Sequence, residues 1–237
     1  MTADRWTDAV RHPLGYGRLL PLGGPHDGAW LTEAAADAVL RRAAAQVPGV
    51  RLGAVRIAPS DSEDVPEPAV PPPPGAVPPG PLLLSADFAA TAAEPLPATA
   101  ARLRRVLAVT AAAQLGLAVA EVDLRVTDLL EADGTESEVV RPPRPPSVRE
   151  GTDPDGARVT AAALAVPGVA RVTGALSREV HFEAALPRRH VRVEVAVACG
   201  PPAVEVARRV RTAVSGELDD QPTVAVLVTS VDVTAVK

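Results

Sequence analysis

The tetrapeptide Val-Pro-Gly-Val occurs twice, at 47–50 and at 166–169. Each copy ends a helical stripe and opens a β-rich run. Before the first, Ala36, Val39, Leu40, Ala43 and Val47 recur at helical spacing. Thr32 reads as the N-cap of that helix, with Glu33 in the first turn. Before the second copy, Val159, Ala162, Ala163 and Val166 repeat the stripe. Pro cannot continue either helix, and Gly supplies the turn.

Both copies continue in the same order: strand, loop, strand, Pro-opened helix, strand. In the first, Leu52, Val55 and Ile57 suggest a strand with Gly53 as a bulge, and Leu82, Leu84, Ala86 and Phe88 alternate as a half-buried strand. Glu94-Pro95-Leu96-Pro97 opens a helix to about Leu115, with Leu103, Val106, Leu107 and Ala111 inward. Gly116 caps it, and Val119 to Leu129 close the unit. In the second, Ala170 to Leu176 form a strand, and a short loop carries His181 and Phe182. Val191, Val193, Val195 and Val197 alternate, Gly200-Pro201-Pro202 breaks the strand, and a helix runs to about Leu218. Val224 to Val233 then close this unit. Setting Pro97 on Pro201 aligns Arg104-Arg105-Val106 with Arg208-Arg209-Val210. After a two-residue gap, Val126-Thr127-Asp128-Leu129 falls on Val228-Thr229-Ser230-Val231.

Self-similarity of this kind sets the fold. It predicts an α/β (α+β) protein of two tandem α-β-β-α-β units. Each unit is expected to form a three-stranded mixed sheet, with helices on one face and a right-handed strand–helix–strand crossover. The expected boundaries are an N-terminal arm over 1–31, a first unit over 32–130, a linker over 131–156 and a second unit over 157–237. In the arm, Asp4 to Arg11 read as a short helix carrying Trp6 and Val10, and a Gly-punctuated loop follows. The first unit carries an insert at 58–81 with ten prolines, read as a solvated, enlarged hairpin loop. The linker, with Pro142-Pro143-Arg144-Pro145-Pro146, lacks the apolar surface to order itself. Small units with open sheet edges are expected to pack on each other or on a partner.

Aromatic residues make up 2% of the 237 residues, so the core must be built from Ala, Val and Leu. Lys237 is the only Lys, and the Arg, Ala and Pro excess matches the codon bias of a GC-rich, actinobacterial genome. A net charge of −5 argues against a general nucleic-acid binder. The lone Cys199 excludes an intramolecular disulfide and a Cys-cluster metal site. The polar start has no signal-peptide pattern, and Val106 to Val122, rich in Ala and interrupted by Gln114 and Gly116, falls short of a membrane span. A cytoplasmic location without direct membrane insertion is the expectation.

No catalytic, cofactor or metal constellation stands out. His12, His26, His181 and His190 are scattered. His181 and Glu183 fall on one side of a possible strand, as a surface pair. No Gly-x-Ser-x-Gly elbow exists, and neither Ser177 nor Ser215 has a nearby base. Cys199 reads as a small residue at a tight strand–helix turn. Arg208, Arg209, Arg211 and Arg192, with Arg188 and Arg189 nearby, form the one candidate interaction surface. A weak nucleic-acid-binding module using helix 202–218 is the second reading of that surface. It lacks a Gly-x-x-Gly loop and a stacking pair of aromatics.

The segment Val159 to Val233 resembles the alkaline-shock, or envelope-stress-response, protein family of Gram-positive bacteria. The resemblance rests on Val166-Pro167-Gly168-Val169-Ala170, on the Val191–Val197 strand leading to Gly200, on the Glu205-Val206-Ala207 and Val210-Arg211-Thr212-Ala213-Val214 pattern, and on the closing strand with Asp232. The first unit resembles it more faintly. Ala198-Cys199-Gly200 stands where the family keeps an acidic, Tyr-Gly-rich approach to the helix. The resemblance implies a non-enzymatic cytoplasmic scaffold or interaction protein. Its partners would be proteins, through self-association or a membrane-anchored protein that holds it at the membrane periphery.

Overall fold

The computed structural model describes residues 15–60, 66–131, 153–176, 178–183 and 188–232. The proposed helix at Asp4 to Arg11 and nearly all of the 131–156 linker lie outside them.

The first unit follows the expected order. Helix α1 (Glu33–Ala44) is capped by Thr32, whose Oγ1 accepts from Ala35 N at 3.2 Å. Strands β3 (Val50–Pro59) and β4 (Leu82–Thr91) pair antiparallel. Helix α2 (Leu96–Thr110) opens with Pro at its first turn and relaxes into a π turn over Ala111–Leu115. Strand β5 (Val119–Leu130) then lies parallel to β4, giving the sheet order β3-β4-β5. Residues Gly53 and Ala54 are bulged, as the glycine suggested.

The second unit repeats the plan. Helix α3 (Pro154–Leu164) begins slightly earlier than its apolar stripe, because Asp153 caps it and Pro154 fits its first turn. Strand β6 (Val169–Val172) pairs antiparallel with β8 (His190–Ala198). Helix α4 (Ala203–Glu217) crosses over to β9 (Thr223–Asp232), parallel to β8.

The duplication reaches atomic detail. In both units the Val-Pro-Gly turn holds its glycine at positive φ, 71° for Gly49 and 101° for Gly168. Each glycine carbonyl accepts from the end of the next long strand, Thr91 N at 2.9 Å and Ala198 N at 2.8 Å. In both closing strands one threonine is bulged out of register. Phe88 faces Val126 and Ala89 faces Asp128, skipping Thr127; Val195 faces Val228 and Ala196 faces Ser230, skipping Thr229. The bulged hydroxyls donate to equivalent carbonyls, Thr127 to Phe88 O at 3.4 Å and Thr229 to Val195 O at 3.2 Å.

The second sheet departs from the expected three strands. It has six, ordered β1-β2-β9-β8-β6, with β7 also on β8. Two come from the N-terminal arm: β1 (Leu19–Pro21) and β2 (Ala29–Thr32), the latter parallel to β9. The third, β7 (Val180–Glu183), replaces the loop read around His181. The arm therefore belongs to the second unit, although it precedes the first in sequence.

The Pro-rich insert is only partly solvated. Val70, Pro73, Val77 and Pro79 are buried. Val70 packs with Leu19, Trp30, Ala225 and Leu227 on the sheet face opposite the helices. Val77 N donates to Leu19 O at 2.8 Å, so the insert straps the outer edge of β1. Its prolines carry no N–H and cannot template a further strand. The strap thus ends the sheet.

The two units share one core. The helix-facing side chains of both sheets, including Phe88, Leu84, Leu40, Val193 and Val226, form a single apolar cluster. Thr32, already capping α1, also donates to Thr229 O at 3.2 Å. Gly116 closes the π turn at φ 84°, where a Cβ would meet Val204 Cγ1 of α4 at 2.4 Å. Only glycine permits that approach.

Candidate functional site

The four arginines singled out in the sequence do not share a surface. Strand alternation sends Val191, Val193, Val195 and Val197 toward the helices and Arg192 to the opposite face. There Arg192 pairs with Glu183 on β7, and its side chain is 12% exposed. Arg208 forks onto Asp27 of the β1–β2 turn at 2.7 and 2.9 Å and reaches Glu205 at 2.6 Å. That fork holds the Asp27 carboxyl below the usual range and the guanidinium above its own. Arg211 donates to His26 O of the same turn. Arg208 and Arg211 line a shallow groove with Thr212, Ser215, Gly216 and Gln221. Arg209 is exposed. Arg189 joins Asp155 at 2.7 Å and Asp220 at 2.9 Å, and its guanidinium lies 4.9 Å from the centroid of the Phe182 ring. These cations mostly fasten the fold together.

The helix-distal face of the large sheet holds a polar cluster that the alternation rule reads as solvent-facing. Glu194 is fully buried and accepts from Leu176 N at 2.9 Å. Tyr16 is buried in the same region, and burial together with the Glu194 charge raises its phenol pKa. Thr173 and Thr229 hydroxyls meet at 2.8 Å. Trp30 Nε1 is buried with no hydrogen-bond partner among the described residues. His190 is 1% exposed; Nδ1 lies 2.8 Å from Thr223 Oγ1, and Nε2 is buried without a partner among the described residues. Burial lowers its pKa. His181 Nε2 and Glu183 Oε1 are 3.4 Å apart on half-buried β7, as the sequence pairing suggested. Among the described residues no group of three His, Cys, Asp or Glu side chains is placed to hold a metal. Cys199 is exposed at the β8–α4 turn, its N–H bonded to Asp232 O at 2.8 Å.

The equivalent face of the first unit carries a different pair. Asp87 occupies the position of Glu194, and Arg125 that of Leu227. They pair in the open at 2.9 and 3.0 Å, which holds the Asp87 carboxyl low. The sheet edges differ as well. On β3, Arg41 covers the Leu52 and Gly53 carbonyls at 3.3 and 2.8 Å, and Arg18 covers that of Ile57. The outer edge of β9 is taken by β2, with Val226 N bonded to Gly28 O at 3.0 Å. The equivalent edge of β5 has no strand beside it among the described residues. Arg104 reaches Val122 O there at 2.9 Å. Val126 and Leu129 are 39% and 58% exposed.

No protein-family profile, curated protein or solved structure matches this chain. Among the described residues no helix is long and apolar enough to cross a membrane.

Proposed function

We propose that this protein is a non-enzymatic scaffold of two alkaline-shock-like units, in which the first unit supplies the binding edge. One observation carries the reading. The strand position that β2 fills beside β9 is taken by no described strand beside its structural repeat, β5. A strand edge with unpaired N–H and C=O groups recruits another strand through main-chain hydrogen bonds. The family resemblance supports the same class of protein, with protein partners in the cytoplasm or at the membrane periphery.

The second reading, a nucleic-acid module on α4, is less well served. Arg208 is joined to two carboxylates, and Arg192 lies on the other side of the sheet.

A photo-crosslinking residue at Leu129, compared with one at exposed Arg105 on α2, tests the scaffold in living cells. Discrete adducts from Leu129 alone are expected. A strict monomer that yields no adduct from Leu129 overturns the reading.

A further inference from the structure

We infer that the outer edge of β5, beside which no described strand lies, pairs with β5 of a second copy of this chain, antiparallel, about a two-fold axis at Leu124. This rests on the scaffold reading and names the partner of its edge.

The direction of the backbone is fixed twice. Arg104 reaches Val122 O from outside the ladder, so the polar groups of Val122, Leu124 and Val126 face away from β4. The repeat agrees, because the residue equivalent to Leu124, Val226, donates outward to Gly28 O. Successive residues of a strand alternate between its two edges, so Asp123 and Arg125 bond toward β4.

A two-fold antiparallel pair must be centred on one residue or between two, and centring within this stretch is strongly discriminating. Centring on Leu124 sets Val122 against Val126 of the other copy, both outward-facing, and Asp123 against Arg125, twice. Both charged side chains are exposed, and Arg125, bonded to Asp87 within its own sheet, would be shared between that carboxylate and Asp123 of the other copy. Centring on Asp123 or on Arg125 sets like charges face to face. Centring on Val122 opposes Asp123 to Glu121, again like with like. Centring on Val126 leaves Arg125 opposite Thr127. Cross-strand opposite charges stabilise a pair and like charges destabilise it. Among these registers only the one centred on Leu124 uses all three outward residues, Val122, Leu124 and Val126, and sets Asp123 opposite Arg125 with no like charges face to face.

The bulges at Ala120 and Thr127 bound the regular part of β5, and within it the segment symmetric about Leu124 is Val122 to Val126. The partner would extend β3-β4-β5 into a continuous six-stranded sheet, the same strand number as the second sheet. Arg104 competes for the edge, because Val122 O would accept instead from Val126 N of the other copy. It acts as a latch on the free monomer.

Light scattering on the full chain tests this. The wild type should pass from 24.4 kDa toward twice that mass as concentration rises. Asp123→Arg and Arg125→Asp should each abolish the dimer. An equimolar mixture of the two should restore it as a heterodimer, because each introduced charge then faces its opposite. Arg104→Gln should tighten the dimer. Circular dichroism and urea midpoints near wild type show that the variants remain folded. A wild type that stays monomeric, or charge variants that dimerise as well as wild type, overturns the inference. If Leu129 crosslinks to other proteins persist in that case, the scaffold reading survives without self-pairing.

Discussion

Replacing Thr32 with Val keeps the shape of a fully buried side chain and removes its hydroxyl. That hydroxyl serves two elements: it accepts from Ala35 N of α1 and donates to Thr229 O, 197 residues further along the sequence from Thr32. Losing a side-chain N-cap costs about 1 kcal/mol. Leaving the Thr229 carbonyl buried without its donor costs a further ~1–3 kcal/mol. The two losses fall on independent partners, so roughly 2–4 kcal/mol is expected in total. For a chain of this size that lowers Tm by roughly 5–12 °C. The assay is urea denaturation followed by circular dichroism, comparing Thr32→Val with Thr32→Ser. Serine keeps both bonds and loses one methyl, about 1 kcal/mol. The signature is therefore Val well below Ser. If Thr32→Val matches wild type within ~0.5 kcal/mol, or falls no lower than Ser, the shared hydroxyl does not join the units.

Three further outcomes are expected. Val70→Asp places a charge where the Pro-rich strap meets Trp30 and Leu227; it should cost about 1.5–3 kcal/mol and red-shift Trp30 emission in a Trp6→Phe background. Unchanged emission would mean that the strap does not cover that face. Gly116→Ala combines positive φ with a clash against Val204, so a loss of about 2–4 kcal/mol should appear in the urea midpoint; a neutral substitution would contradict the close approach. Burial depresses the His190 pKa, so the unfolded chain binds its proton first as pH falls. Stability from this group is full above the ordinary histidine range near 6.5 and declines below it. His190→Gln should flatten the urea midpoint between about pH 7 and pH 5, and an unaltered slope would refute the assignment.

Much of the fold was legible because the duplication is carried by turn residues and apolar spacing. The Val-Pro-Gly turns, the Pro-opened helices and the alignment of Thr127 with Thr229 all sit where the repeat placed them. The arm's strands were not legible. Leu19–Pro21 and Ala29–Thr32 are too short for a period, and the β2–β9 pairing joins opposite ends of the sequence. Burial of Glu194, His190 and Arg192 was hidden for a related reason. Alternation says that they face away from the valines, but not that Tyr16, Trp30, Val70 and Leu176 arrive from elsewhere to enclose that face. The arginine surface failed on geometry alone: a helix and a strand that it covers cannot both point Arg208 and Arg192 outward on one side.

The sheet order also sets a timetable. Strand β9, in the middle of the large sheet, is the last of the nine described strands to be synthesised, while β1 and β2, which lean on it, are the first of them. Thr32 must wait 197 residues for Thr229. At about 5–20 residues per second the ribosome needs roughly 10–40 s to close that gap. Through that interval β2 has one hydrogen-bonded edge and the strap has no finished surface to lie on. A nascent chain stalled before β9 would therefore expose Trp30 and Leu31 together, and a chaperone that reads apolar strands would find its longest opportunity there.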